Sequence, residues 1–245
     1  MTAGRGPAGQ VPWKRGPGDM DRGSGDRRSG FSAAELTTPP DECDPVKTME
    51  DLIIVGSAAE NPFVGDITQH MNQDEHYSDL ISLKVFLNSE FCPRFLVDEA
   101  SWDNIGGKLS GKTVLIVSTT LGELTRNEIA MRNFLIARAA RDNGASRVIL
   151  LEPDLFYSAQ DRGPRPEHGL PGTERSAADF KKFDGQPFSA RLYADLLARA
   201  GVDEVVTVHN HSGSVKSVYM DRFAGRFHDL HPADVYADYM CESDI

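Results

Sequence analysis

RVILLEPDLFYSAQDR at residues 147–162 and QPFSARLYADLLARAGVDEVVTVHNH at residues 186–211 decide the fold. Two short β-branched apolar runs, 148–151 and 205–208, flank a helical pattern that begins near Pro187 and stops at Gly201. That is the strand–helix–strand grammar of a parallel βαβ unit. Each strand delivers polar residues at its C-terminal end: Tyr157, Gln160, Asp161 and Arg162 after the first, His209, Asn210 and His211 after the second. Both clusters are expected to open onto the crevice where open α/β sheets bind ligands.

Working outward, residues 52–55 read as a buried strand. A helix follows over 61–71 with Pro62 in its first turn. Residues 80–90 alternate like a strand, and 113–117 (TVLIV) form a second core strand. A long amphipathic helix is predicted over 123–143, with Leu124, Met131, Phe134 and Leu135 as its inner stripe and Asn143-Gly144 as its stop. Arg126, Arg132, Arg138 and Arg141 are spread outside that stripe. The order is βαβαβαβ, which predicts an α/β fold with a mostly parallel sheet flanked by helices.

GGKLSGKT at residues 106–113 satisfies the phosphate-loop spacing G-x-x-x-x-G-K-T. That motif works only with a strand before it and a helix after it, so that backbone N–H groups face the phosphates. Here the order is reversed, because an apolar strand begins inside the motif and residues 98–105 carry no strand pattern. A polar turn entering the strand is the better reading.

Composition narrows the function. Residues 1–48 are rich in Gly, Pro, Arg, Asp and Ser and read as a disordered leader before a domain at 49–245. Met49 or Met20 is an alternative start to Met1. The leader carries no hydrophobic signal core, and its acids argue against a transit peptide, so a cytoplasmic location is expected. Its basic and acidic residues balance, leaving the whole net charge of −11 on residues 49–245. An acidic domain repels polyphosphate, so nucleic acid is not an expected partner and a phosphate ligand needs local Arg or Lys and a divalent cation. Cys43, Cys92 and Cys241 are far apart, without zinc or disulfide spacing, and no apolar run reaches membrane-span length.

His209 and His211 are two apart at a strand end and so point to one side. Imidazole can contact a cation or a metal-bound phosphate oxygen, although hard Mg²⁺ prefers oxygen ligands. As bare patterns, the H-x-H pair also reads as a solvated or structural pair, and Asp161-Arg162 as a surface ion pair. Residues 163–183 mix Arg165, Arg175, Lys181 and Lys182 with acids, and read as a mobile lid or interface loop.

The ordered run YSAQDR, QPFSARLYADLL..AGVD, VTVHNH and DLHPADVYAD resembles the ribose-phosphate pyrophosphokinases, or phosphoribosyl pyrophosphate (PRPP) synthetases. Their pattern is Y-A-R-Q-D-R, P-I-S-A-K-L-x-A-x-L-L-x-x-A-G-A-D, a strand ending D-L-H, and D-I-P-V-D-N-L-Y-A. The match runs from Leu52 to Asp238, with an insertion of ~15 residues after Arg162. It implies a phosphoribosyltransferase-like fold, the N-terminal domain of such an enzyme, and the reaction of Mg-ATP with ribose 5-phosphate to give PRPP and AMP.

The resemblance also implies a set of site residues. Phe86, Asn88 and Glu90 in FLNSE stand where the family has F-S-D-G-E, a hairpin that holds adenine across a subunit interface, and so imply an oligomer. Gln160 and Asp161 fall on the ATP-contacting segment, and His211 on the histidine implicated in Mg²⁺–ATP binding. No catalytic residue is carried over. Three positions depart from the family: Ser89 replaces its Gly, Ala159 its phosphate-contacting Arg, and His209 its Asp. Loss of that Arg is expected to weaken phosphate binding by roughly 1.5–3 kcal/mol unless Arg162 or Arg165 substitutes. The family's second domain, with its D-D-x-x-x-T-G-G-T loop for ribose 5-phosphate, has no counterpart before Ile245. Two expectations follow: an incomplete synthetase, or a non-catalytic paralogue that assembles with a full-length one.

Overall fold

The computed structural model describes residues 51–59, 61–73, 77–97, 105–120 and 122–242, all within the unit Asp44–Ile245. The expected leader and most of residues 98–105 lie outside the described residues. Five parallel strands make the main sheet: β1 (Leu52–Gly56), β4 (Thr113–Val117), β5 (Arg147–Leu151), β6 (Glu204–Val208) and β7 (Phe227–Leu230), adjacent in that order. The helices are α1 (Pro62–His70), the short α2 (Tyr77–Leu80), α3 (Arg126–Asp142), α4 (Ala177–Lys182), α5 (Ser189–Ala200), α6 (Gly213–Arg222) and α7 (Ala233–Glu242). A separate antiparallel hairpin, β2 (Ile81–Val85) and β3 (Phe91–Phe95), stands between α2 and β4.

The core follows from strand parity. Val114 and Ile116, Val148 and Leu150, and Val205 are fully buried and pack in one cluster with residues of α3, α5 and α6. Each such side chain contributes about 1.5–3 kcal/mol of burial free energy. The opposite face is closed over β1 and β4 by Val64 of α1, with Ile67 partly buried beside it. Ile149, Leu151, Val206 and Val208 on that second face are only half-buried.

Local chemistry sets the helix ends. Thr125 and Glu128 form a reciprocal capping box that starts α3, Asn61 caps α1, and Ser212 caps α6. At the end of α5, Gly201 takes φ +112°, and a Cβ there would meet Arg141 Cγ at 2.4 Å. Arg141 needs that space: its Nε donates to Gly201 O at 2.9 Å, its Nη1 to Ala145 O at 2.9 Å, and it pairs with Asp203.

Three expectations change. The strand expected over residues 80–90 is confined to β2, with residues 86–90 forming the turn into β3. Met131 is exposed rather than internal, and the inner face of α3 is Ile129, Ala130, Asn133, Ile136, Ala137 and Ala140. The helix turns a polar residue, Asn133, into the core and Met131 outward. The segment 163–183 is also more than a simple loop. Arg175, 6% exposed, donates from Nε to Asp179 and from Nη1 to the carbonyls of Gly163, Arg165 and His168, while stacking over Phe180 and Phe183. Together with α4 this organises the insertion around one buried guanidinium.

Candidate functional site

The hairpin tip presents three expected residues. Phe86 N–H donates to Glu90 O at 2.8 Å, and Glu90 N–H to the Asn88 side-chain oxygen at 3.2 Å, so the turn is closed by its own polar groups. Ser89 takes φ +69°, the conformation that glycine accepts without strain. Phe86, Leu87, Asn88 and Glu90 line a shallow open hollow, and Leu87 is fully exposed. Among the described residues, no hydrogen bond, ion pair or ring contact joins this tip to the strand-end loops.

The strand-end loops do come together. Asp161 accepts from Ser212 Oγ at 2.8 Å through its carboxylate and from Ser214 Oγ at 2.6 Å through its carbonyl. These bonds fasten the loop after β5 to the first turn of α6, just past His211. Pro153 O accepts from Val208 N–H at 3.1 Å and Thr207 Oγ1 at 3.2 Å, which ties the same loop to β6. Gln160 donates to Arg162 O at 3.1 Å and to Gln186 Oε1 at 3.0 Å, which holds its amide against the segment entering α5. Arg162 pairs with Asp179 at 3.0 Å and with Asp161 at 3.6 Å, as the ion-pair reading expects, and its guanidinium lies over the Phe183 ring. Arg165, largely exposed, lies 4.0 Å from Glu167.

His209 and His211 are both exposed, and His209 takes φ +55°. Left-handed backbone at a non-glycine residue costs energy that the surroundings must hold, and such strain clusters at functional sites. Tyr157, at φ +58°, is the other strained residue at these strand ends. His209 meets His231 edge to face at 6.2 Å, and the buried Asp229 carboxylate accepts from Asn210 N–H at 2.8 Å. Among the described residues no group of three or more His, Cys, Asp or Glu forms a metal cluster. The adjacent carboxylates accept from Ser212 and Asn210, and the imidazole nitrogens are a second choice for hard Mg²⁺. The donor set suits contacts to an oxygen-rich metal–phosphate complex arriving as one unit.

One group at this edge was missed by sequence reasoning. Glu152, the residue after β5, is fully buried. Its Oε1 accepts from Ser118 Oγ at 3.1 Å, Asn133 Nδ2 at 3.1 Å and Tyr193 Oη at 3.0 Å, and its Oε2 from Phe156 N–H at 2.9 Å. Ser57 extends the network through Asn133. Burial pushes the carboxyl up to about 7, against the opposing pull of these donors. The available signal was Glu152 ending an otherwise apolar run and Asn133 lying inside an apolar helix face.

The chain matches no family model. It is 28% identical over 126 residues to the ribose-phosphate pyrophosphokinase of Rhizobium meliloti, covering 51% of this chain and 34% of that protein. With the enzyme of the same name from Saccharolobus solfataricus it shares 27% identity over 182 residues, 74% of this chain and 50% of that one. Over these stretches the chain is similar in sequence to ribose-phosphate pyrophosphokinases. Against the crystal structure of phosphoribosylpyrophosphate synthetase from Mycobacterium smegmatis the TM-score is 0.55 at 22% identity, over 78% of this chain and 52% of that one. That likeness carries the α/β fold. The chain spans between a third and a half of the length of these pyrophosphokinases.

Proposed function

We propose that this chain supplies the nucleotide half of a ribose-phosphate pyrophosphokinase site, the whole of which converts Mg-ATP and ribose 5-phosphate into PRPP and AMP in nucleotide biosynthesis. The observation that supports this reading best is the bonding of Asp161 to Ser212 and Ser214. It holds the Gln160–Asp161 loop against the strand end bearing His209 and His211. In this reading Phe86 stacks on adenine, Asn88 and Glu90 bond its edge, and Gln160 and Asp161 orient the nucleotide. His209 and His211 contact the magnesium–phosphate complex. Magnesium, entering with ATP, supplies charge neutralisation of the phosphates. The hairpin acts on a neighbouring subunit, consistent with a tip that exposes Phe86 and Leu87. We assign the protein to the cytoplasm as part of the same proposal.

Mixing two defective variants tests the arrangement. Phe86→Ala and His211→Ala chains each bind Mg-ATP weakly alone, and co-refolded together they regain strong binding at sites that combine one intact half from each. No recovery on mixing sinks the shared site.

A second reading is a non-catalytic partner that assembles with a full-length synthetase. It is favoured by α7, which exposes Val235, Tyr236, Tyr239 and Met240 along one flank of the helix. Co-purification with a complete synthetase supports it, and a chain that stays monomeric when mixed with one removes it.

A further inference from the structure

Glu152 is the only fully buried carboxylate among the described residues that has no cationic partner. It faces Ser118 at the end of β4, Asn133 of α3, Tyr193 of α5 and the Phe156 amide of its own loop. The ionisable groups acting on it are Asp154, Tyr193 and Tyr219, none of them basic. Arg126 pairs with Asp154 instead. Leu155 and Phe156, which follow it in the loop, are both buried. The turn they start carries strained Tyr157, whose hydroxyl donates to Asn127 at 2.7 Å, and leads to Gln160 and Asp161.

The network can satisfy a neutral carboxyl. A proton on Oε1 finds an acceptor when the Ser118 or Tyr193 hydroxyl turns, since each can donate or accept, while Oε2 keeps the Phe156 amide bond. An ionised carboxylate keeps all four donors but has no counter-charge, and a buried lone charge is costly.

We propose that Glu152 is a positioning residue that acts as a proton-controlled catch under the 153–162 loop: neutral, it holds the loop that carries Gln160 and Asp161, and ionised, it admits water and releases it. The consequence for nucleotide binding rests on the function proposed above, but the catch itself does not. Its carboxyl, raised to about 7 from the ordinary 4.5, defines the window. A hydrated open state loses the proton first, so opening becomes easier from pH 4.5 upward and levels off above about 7.

Hydrogen–deuterium exchange of the intact chain, corrected for intrinsic rate, reads the loop through the 153–162 peptide. Protection in the wild type is expected to fall by about 50-fold between pH 5 and pH 8. Glu152→Gln, which keeps a neutral side chain with an acceptor for Phe156 and donors for the two hydroxyls but turns its NH2 toward Asn133 Nδ2, is expected to show no such pH dependence, whatever its overall level of protection. Tyr193→Phe removes a donor that favours the charged form, so the levelling moves to higher pH. A purely structural role leaves that position unchanged. Equal pH dependence in wild type and Glu152→Gln, or an unmoved profile in Tyr193→Phe, overturns the proposal. Mg-ATP titrations on the same samples separate the two claims. Loop release without any Mg-ATP binding leaves the catch standing and rejects the nucleotide reading, whereas Mg-ATP binding with a flat exchange profile rejects the catch.

Discussion

Replacing Arg175 with Met tests whether one buried guanidinium organises residues 163–183. Methionine keeps an apolar stem against Phe180 and Phe183, so the change removes chiefly the polar bonds. Asp179 retains Arg162 at 3.0 Å and is not left unpaired. The Arg165 carbonyl sits in an exposed bond and is rehydrated, the His168 carbonyl keeps the Gly163 N–H at 3.0 Å, and the partly buried Gly163 carbonyl loses its donor. At about 1–3 kcal/mol for the Gly163 carbonyl and about 1 kcal/mol for the second bond lost at His168, the segment is weakened by about 3 kcal/mol, which corresponds to roughly a 100-fold larger open population. Glutamyl endopeptidase under native conditions reads this at Glu167 and Glu174, with far-UV circular dichroism showing that the sheet and main helices persist. Cleavage is expected to accelerate about 100-fold in Arg175→Met, with Arg175→Lys intermediate because it keeps the charge and loses the fork. A rate within threefold of the wild type would refute the anchoring role.

Three further outcomes are expected. Because Glu152 has a folded-state pKa above its unfolded one, the folded chain retains a proton through the window from 4.5 to about 7 that the unfolded chain has lost. Stability therefore falls as pH rises through that window. Urea denaturation at pH 5 and pH 8 should show wild type losing roughly 2.5 kcal/mol more than Glu152→Gln, and equal losses would contradict the buried charge. Ser89→Gly relieves a left-handed residue at the hairpin tip and is expected to raise stability by about 0.5–1 kcal/mol in the same assay, with any loss arguing against that strain. Lys112→Ala is expected to leave nucleotide affinity unchanged, because Thr113 opens β4 where a phosphate-binding loop needs a helix. A tenfold weakening would restore the phosphate-loop reading.

Much of the fold is legible from residues alone. The runs at 52–55, 113–117, 148–151 and 205–208 become β1, β4, β5 and β6 within one residue at each end, because parallel strands buried on both faces read as continuous apolar sequence. The edge strand β7, FHDL, was not legible, since it has one buried position in four and owes its pairing to the neighbouring β6. Met131 is large and apolar and so fits an inner face by pattern, while the actual phase of α3 is set by small residues and by Asn133 reaching Glu152. That polar network joins residues from 57 to 193, and no local pattern announces contacts so far apart in sequence. The two loops of the candidate site were legible as strand ends. Their fastening through Asp161, Ser212 and Ser214 depends on the tertiary fold.

The reading of a nucleotide half-site stands most directly on the binding of Mg-ATP to the intact chain, measured by isothermal titration alongside His211→Ala. His211 is exposed at the end of β6 and holds up no core contact, so its removal is expected to spare folding and to weaken Mg-ATP by about tenfold, the equivalent of one charge-assisted hydrogen bond. Equal affinity in the two proteins, or no binding by the wild type when mixed with a full-length synthetase, would contradict it.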